Sequence, residues 1–235
     1  MIKIKKDGFT LSEVLITLAI VGVLAVLVIP GLVKDTNNKA MMSLLQGTVS
    51  IFNNAVQNEL TSVGTSDIKN TDAYNDPVKF LKTRLEVRKE CTGGTPNACY
   101  GKASEYRNLN GGNVGIWTNS GVLLANGVAI DILKNNINNF ADQKYMPVGI
   151  DLNGSKEPNI AGVDRWIICI ALKTDDNDGI HSGDVGSCLR TGYTTSSPKA
   201  TLKNACKNGS TEVCYYLAEI SLSLIHISEP TRLRR

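Results

Sequence analysis

"KKDGFTLSEVLITLAIVGVLAVLVIPGL", residues 5–32, decides how the rest of the chain is read. From Phe9 to Ile29 the only ionisable side chain is Glu13, and neutral polar residues are few. Wound as an α-helix at about 1.5 Å per residue, the run reaches roughly 30 Å, the thickness of a bilayer's hydrocarbon core. It therefore reads as a membrane span. A cleaved secretory signal has a shorter apolar region and small residues at its cut, whereas this run is long and ends in "VIPGL". Lys3, Lys5 and Lys6 precede it. Positive residues favour the cytoplasmic side, so the short N-terminal end is expected there and the remainder beyond the inner membrane.

Outward from the span, the helix is expected to continue. Pro30 removes a backbone donor and crowds the preceding turn, which predicts a kink. Beyond it Met41, Leu45, Val49, Phe52, Val56 and Leu60 recur at helical spacing, while Lys34, Asn37, Asn38, Asn53, Asn54 and Asn58 fall on the other side. Residues 31–64 thus read as an amphipathic continuation ended by Gly64. Residues 65–221 form the globular part. "DPVKFLKTRL" opens with the Asp-Pro of a short helix's first turn. "VGIWTNSGVLLANGVAIDIL", "YMPVGIDL" and "RWIICIAL" are apolar stretches broken by Asn-Ser-Gly and Asn-Gly turns. They predict a small antiparallel sheet of about four strands. "SPKATLKNACKNG" predicts a further short helix. The expected fold class is α+β: a long N-terminal helix, membrane-spanning in its first half, packed on a small antiparallel sheet with disulfide-bearing loops.

All six cysteines, Cys91, Cys99, Cys169, Cys188, Cys206 and Cys214, lie in the external part. An even count in an exported chain favours disulfides. Zinc is the competing reading, but there is no C-x-x-C, and outside the C-terminal tail the only histidine is His181. Many connectivities stay open; the simplest is local, Cys91 with Cys99, Cys169 with Cys188 and Cys206 with Cys214.

The tail "LSLIHISEPTRLRR", residues 222–235, resembles the translation of a sequencing-library adapter, so it is set apart from the fold and the natural C-terminus is expected to differ. This alters the charge balance. Of the formal +3, the leader (residues 1–8) and the tail contribute +2 each, which leaves −1 for residues 9–221. No nucleic-acid surface is indicated.

Gly8-Phe9-Thr10-Leu11-Ser12-Glu13, followed by an apolar run with Pro30, resembles the class III signal of type IV pilins and type II secretion pseudopilins. The resemblance implies that residues 1–8 are a leader and residues 9–30 a transmembrane and assembly helix. It implies a prepilin peptidase that cuts between Gly8 and Phe9, methylation of the Phe9 amine, and Pro30 at the helix kink. It further implies that other pilin or pseudopilin subunits and an inner-membrane assembly platform are the partners, with lipid around the span. A Glu deep in hydrocarbon is costly and less so near the interface. At about 6 Å past Phe9 along a helix, Glu13 starts shallow. Once helices pack on helices it needs a cation, and the freed ammonium of a neighbouring Phe9 is at hand. Such an ion pair would set the axial register, since a displaced subunit leaves both charges unpaired. The plainer alternative is a Glu that snorkels at the interface. Ala19, Gly22 and Ala25 offer small surfaces for close helix approach, or are ordinary span composition.

Two acidic loops invite a calcium reading. In "KTDDNDGIHSGD", Asp175, Asp176 and Asp178 are the candidate ligands, but Thr174 and Val185 stand where an EF-hand needs acids; a solvated turn is the alternative. Residues 151–164, "DLNGSKEPNIAGVD", present the same choice. No other cofactor is indicated. There is no Ser-His-Asp set with a usable His, no phosphate-binding Gly loop and no H-E-x-x-H, so the chain is not expected to be an enzyme. Trp117 and Trp166 are expected in the core rather than on a binding platform. Three functions follow: a type IV pilin, to which the long disulfide-bearing region inclines; a secretion pseudopilin; or a permanently anchored membrane protein whose external domain binds a ligand or partner.

Overall fold

A computed structural model describes residues 10–92, 97–115, 120–140, 143–174, 180–189 and 192–228, with side chains described at all of these except 30–35 and 221–228. The chain divides into two units, Met1–Ser43 and Leu44–Arg235. The first helix, α1 (Leu11–Val63), is assigned across both.

In the first unit the described side chains from Leu11 to Ile29 are almost all exposed. The backbone stays helical through Pro30, whose side chain lies outside the described residues.

In the second unit, α1 buries Leu45, Phe52, Val56 and Leu60 from the expected stripe, while Val49 is only half-buried. Thr48, Ala55 and Glu59 complete the inward face. Phe52 meets Phe80 edge to face, with ring centroids 6.1 Å apart. Glu59 is buried yet fully engaged: Oε2 accepts from Arg84 Nε at 2.7 Å and Oε1 from the Asp72 amide at 3.2 Å. Gly64, at φ 73°, ends the helix, and the amides of Gly64 and Thr65 both donate to the Leu60 carbonyl. A left-handed glycine here satisfies carbonyls that the last turn leaves open.

Short helices follow. In α2 (Asp72–Asn75) and α3 (Pro77–Arg84) the start of the second is fixed by Asp76, whose carboxylate accepts from the Lys79 amide, with Pro77 in the first turn. Six strands form one antiparallel sheet in chain order: β1 (Val87–Cys91), β2 (Gly121–Leu124), β3 (Ala129–Ile132), β4 (Tyr145–Asp151), β5 (Arg165–Ala171) and β6 (Val185–Gly186). The fold is α+β as expected, but with six strands instead of about four. The two additions are edges. Strand β1, "VRKEC", exposes three charged residues in a row and lacks an apolar alternation, as suits an edge that must not recruit another chain. Strand β6 is two residues long.

Between β2 and β3, Gly127 takes φ 89° and the Asn126 side chain accepts from the Val128 amide, closing the Asn-Gly hairpin. All seven residues of β5 are buried, so both of its faces are covered; α3 packs along β1–β3 and the C-terminal helix, residues 211–228, along β5. Helix α4 (Lys199–Lys207) ends before Gly209, at φ 103°. Helix α5 (Thr211–Ser228) was not foreseen; it runs into the tail that the sequence set apart, with residues 229–235 outside the described part.

Three disulfides close the unit in the local pattern: Cys91–Cys99 pins the end of β1, Cys169–Cys188 ties β5 to the segment after β6, and Cys206–Cys214 joins α4 to α5.

Candidate functional site

The entry to α1 is organised by one side-chain exchange. Thr10 Oγ1 accepts from the Glu13 amide at 3.3 Å, and Glu13 Oε2 accepts from the Thr10 amide at 2.8 Å and from the Thr10 hydroxyl at 2.7 Å. This is a capping box, in which two amides left open by the first turn are satisfied reciprocally. Its signal, Thr-x-x-Glu ahead of an apolar run, is present in the sequence. A Glu at the mouth of an apolar run also points to a partner outside the chain, and that signal masks what its own backbone requires. Both bonds to the carboxylate use Oε2, so among the described residues Oε1 keeps its acceptor capacity for a further donor. Gly8 and Phe9 lie outside the described residues.

Behind the cap, Leu11–Ile29 is a helix long and apolar enough to cross a membrane, and among the described residues none of its apolar window is buried. Leu15, Ile16, Leu18, Val21 and Leu24 are all more than half exposed. So large a continuous apolar surface is not a surface for water. The Thr17 hydroxyl donates to the Val14 carbonyl at 2.9 Å, which removes the one mid-run donor that hydrocarbon would leave unsatisfied. A side chain at Gly22 would meet nothing within 4 Å.

The second unit contains a further polar constellation that sequence reasoning did not find. Asp131, Asp151, Asp164 and Arg165 are all at most 3% exposed. Arg165 donates to Asp131 Oδ1 from both terminal nitrogens at 3.4 Å and lies 5.1 Å from the centroid of the Tyr100 ring. Tyr106 donates its hydroxyl to Asp151 Oδ2 at 2.9 Å. Burial pushes the Asp151 carboxyl up to about 7, against the opposing pull of Arg165. Burial likewise pushes Asp164 up to about 6, although its Oδ1 accepts from the Ile160 amide at 2.6 Å. Burial also raises the Tyr100 and Tyr106 phenols. With its carboxylates shut away from solvent, the cluster braces the sheet and the loop from β4 to β5.

Of the two calcium candidates, Asp175, Asp176 and Asp178 lie outside the described residues. In the other loop, Asp151 and Asp164 are engaged by Tyr106 and by the loop's own amides. Among the described residues no group of three or more His, Cys, Asp or Glu side chains is placed to hold a metal. Trp166 is 4% exposed, with its indole donating to the Val163 carbonyl at 3.0 Å, and belongs to the core; Trp117 lies outside the described residues.

Among known families, that of the prokaryotic N-terminal methylation motif matches residues 3–29. The chain therefore carries the class III prepilin signal of type IV pilins and pseudopilins, the mark of a processed, pilin-type subunit. No curated protein and no solved structure matches it.

Proposed function

We propose that this chain, bearing a prepilin signal at residues 3–29, is a structural subunit of a type IV pilus or a type II secretion pseudopilus. In this reading a prepilin peptidase hydrolyses the bond between Gly8 and Phe9, and the freed Phe9 amine is methylated. Residues 9–30 then hold the chain in the inner membrane with its N-terminus cytoplasmic, until an assembly platform moves it into a filament. There the apolar helices of neighbouring subunits cover one another, and Glu13 Oε1 receives the Phe9 ammonium of an adjacent copy. A contact of this kind that does not close into a ring propagates as a helix of subunits. The work is mechanical, with no catalytic step.

The observation that supports this reading is the exposed apolar helix Leu11–Ile29 lying within the matched methylation motif, residues 3–29. The three disulfides fit an external unit in an oxidising compartment. Mass spectrometry of the N-terminus, from cells that contain a prepilin peptidase, tests it. A chain beginning at methylated Phe9 is expected. An intact Met1 would overturn the proposal in favour of a permanently anchored protein whose external domain binds a partner.

A further inference from the structure

The second unit also holds a pocket of its own. It is a cavity of about 520 Å³ between the turns at Ile68–Asn70 and Lys134–Asn139 and the residues just after β5. That volume falls within the roughly 300–1,000 Å³ usual for small-molecule sites. Its lining includes Lys69, Lys134 and Lys173, and among the described residues no Asp or Glu. None of the three ammonium groups is ion-paired to a carboxylate among the described residues. Lys134 Nζ instead rests 4.0 Å from the centroid of the Tyr74 ring, which positions the charge without neutralising it. Three carboxamides, Asn135, Asn138 and Gln143, share the lining. Gln143 adopts φ 54°, a left-handed backbone that side-chain-bearing residues seldom take.

We propose that this pocket binds an anionic saccharide: one hexose-sized unit bearing a carboxylate or a phosphate. The ammonium groups supply charge-assisted bonds to the acid. Each carboxamide offers both donors and an acceptor, the combination that a ring of hydroxyls requires. A single-stranded nucleic acid fits less well, because such sites present open aromatic faces for stacked bases, and here Lys134 covers the face of Tyr74. The inference is independent of filament assembly: an anchored protein would carry the same pocket.

Calorimetric titration of the full chain in a nonionic detergent tests it, with galacturonate, glucose 6-phosphate, galactose, glucose, inorganic phosphate and a short single-stranded DNA as probes. Both acidic sugars are expected to bind saturably and at least about tenfold more tightly than the neutral sugars and than phosphate. Lys134→Gln and Lys173→Gln should each weaken them roughly tenfold, the loss of one charge-assisted bond. Should Lys134→Gln fail to fold, Lys173→Gln still decides, because Lys173 is exposed and makes no ring contact among the described residues. Neutral sugars binding equally well would overturn the proposal. So would phosphate binding as tightly as glucose 6-phosphate, DNA binding while the sugars give no heat, or no heat from any probe.

Discussion

Arg165 reaches Asp131 over a strand that lies between them. Asp131 on β3 is paired with Gly149 on β4, and Gly149 with Ile167 on β5, two residues beyond Arg165. The guanidinium therefore crosses β4 at the one position without a side chain. A Cβ at Gly149 would press on the Asp131 carboxylate and on the Arg165 guanidinium, more closely than real contacts allow. The glycine is thus a condition of the ion pair.

Gly149→Ala should consequently destabilise the second unit by about 2–4 kcal/mol, by overpacking and by prising apart a buried pair. Chemical denaturation of the full chain in detergent measures this. Asp131→Leu alone should cost about 3–5 kcal/mol, since it strands a buried charge. The double variant Asp131→Leu, Arg165→Met should recover much of that. A double variant no more stable than the single one would show that the pair contributes nothing jointly.

Stability should fall as pH rises from about 4 to about 7. In the unfolded chain Asp151 and Asp164 titrate near the ordinary carboxylate value, but in the fold they titrate at about 7 and about 6. Within that window the folded state holds more protons than the unfolded state, so each group destabilises the fold as it loses its proton. The slope approaches about 1.4 kcal/mol per pH unit for one group. Melting temperatures at pH 5 and pH 8 check the sign, and Asp151→Asn should flatten the dependence. Higher stability at pH 8 would refute the burial argument.

Glu13→Gln separates the capping role of this side chain from the ion pair proposed for it. A Gln at this position can still close the capping box, but it cannot pair with an ammonium. If subunits join through that charge, Glu13→Gln should enter filaments poorly while keeping its helix start. Thr10→Ala does the reverse: it leaves the charge and removes the cap. It should speed exchange of the Ser12 and Glu13 amides by roughly three- to tenfold, read by hydrogen–deuterium exchange. Normal filament entry by Glu13→Gln would leave the cap as the only role of this residue.

The disulfides should not contribute equally. Cys169–Cys188 spans 19 residues, and the other two pairs span eight each. In the chain-entropy account the longer loop is worth about 3 kcal/mol and each shorter one about 2.5 kcal/mol. Unfolding of paired Cys→Ala variants, one bridge at a time, gives the order.

How much of this could be read from residues alone depended on sequence distance. The span, the Asp76 cap of α3, the Gly64 stop and the Asn126-Gly127 hairpin are local, and each is written in a few adjacent residues. The cap at Thr10 is as local, yet the same Glu13 also signals an intermolecular charge pair, and one residue type cannot announce both. The pairing of Asp131 with Arg165 joins residues 34 apart. In "VAIDIL" the Asp resembles the polar, outward member of an alternation, and only the register of three strands turns it inward. Edge strands were missed for the opposite reason: β1 gains its place from β2 and carries no apolar pattern of its own. Helix α5 escaped because its last seven residues, 222–228, lie in the tail that resembles an adapter translation. The lysine pocket gathers side chains from residues 69 to 173 and leaves no mark in any one segment.

The bare helix from Leu11 to Ile29 also limits how the purified protein can behave. A surface of that kind is quiet only in lipid, in detergent or against like helices, and in plain buffer it will clump. Any preparation that stays dispersed without detergent has therefore either lost this segment or already found a way to hide it, and light scattering will tell which preparations deserve further work.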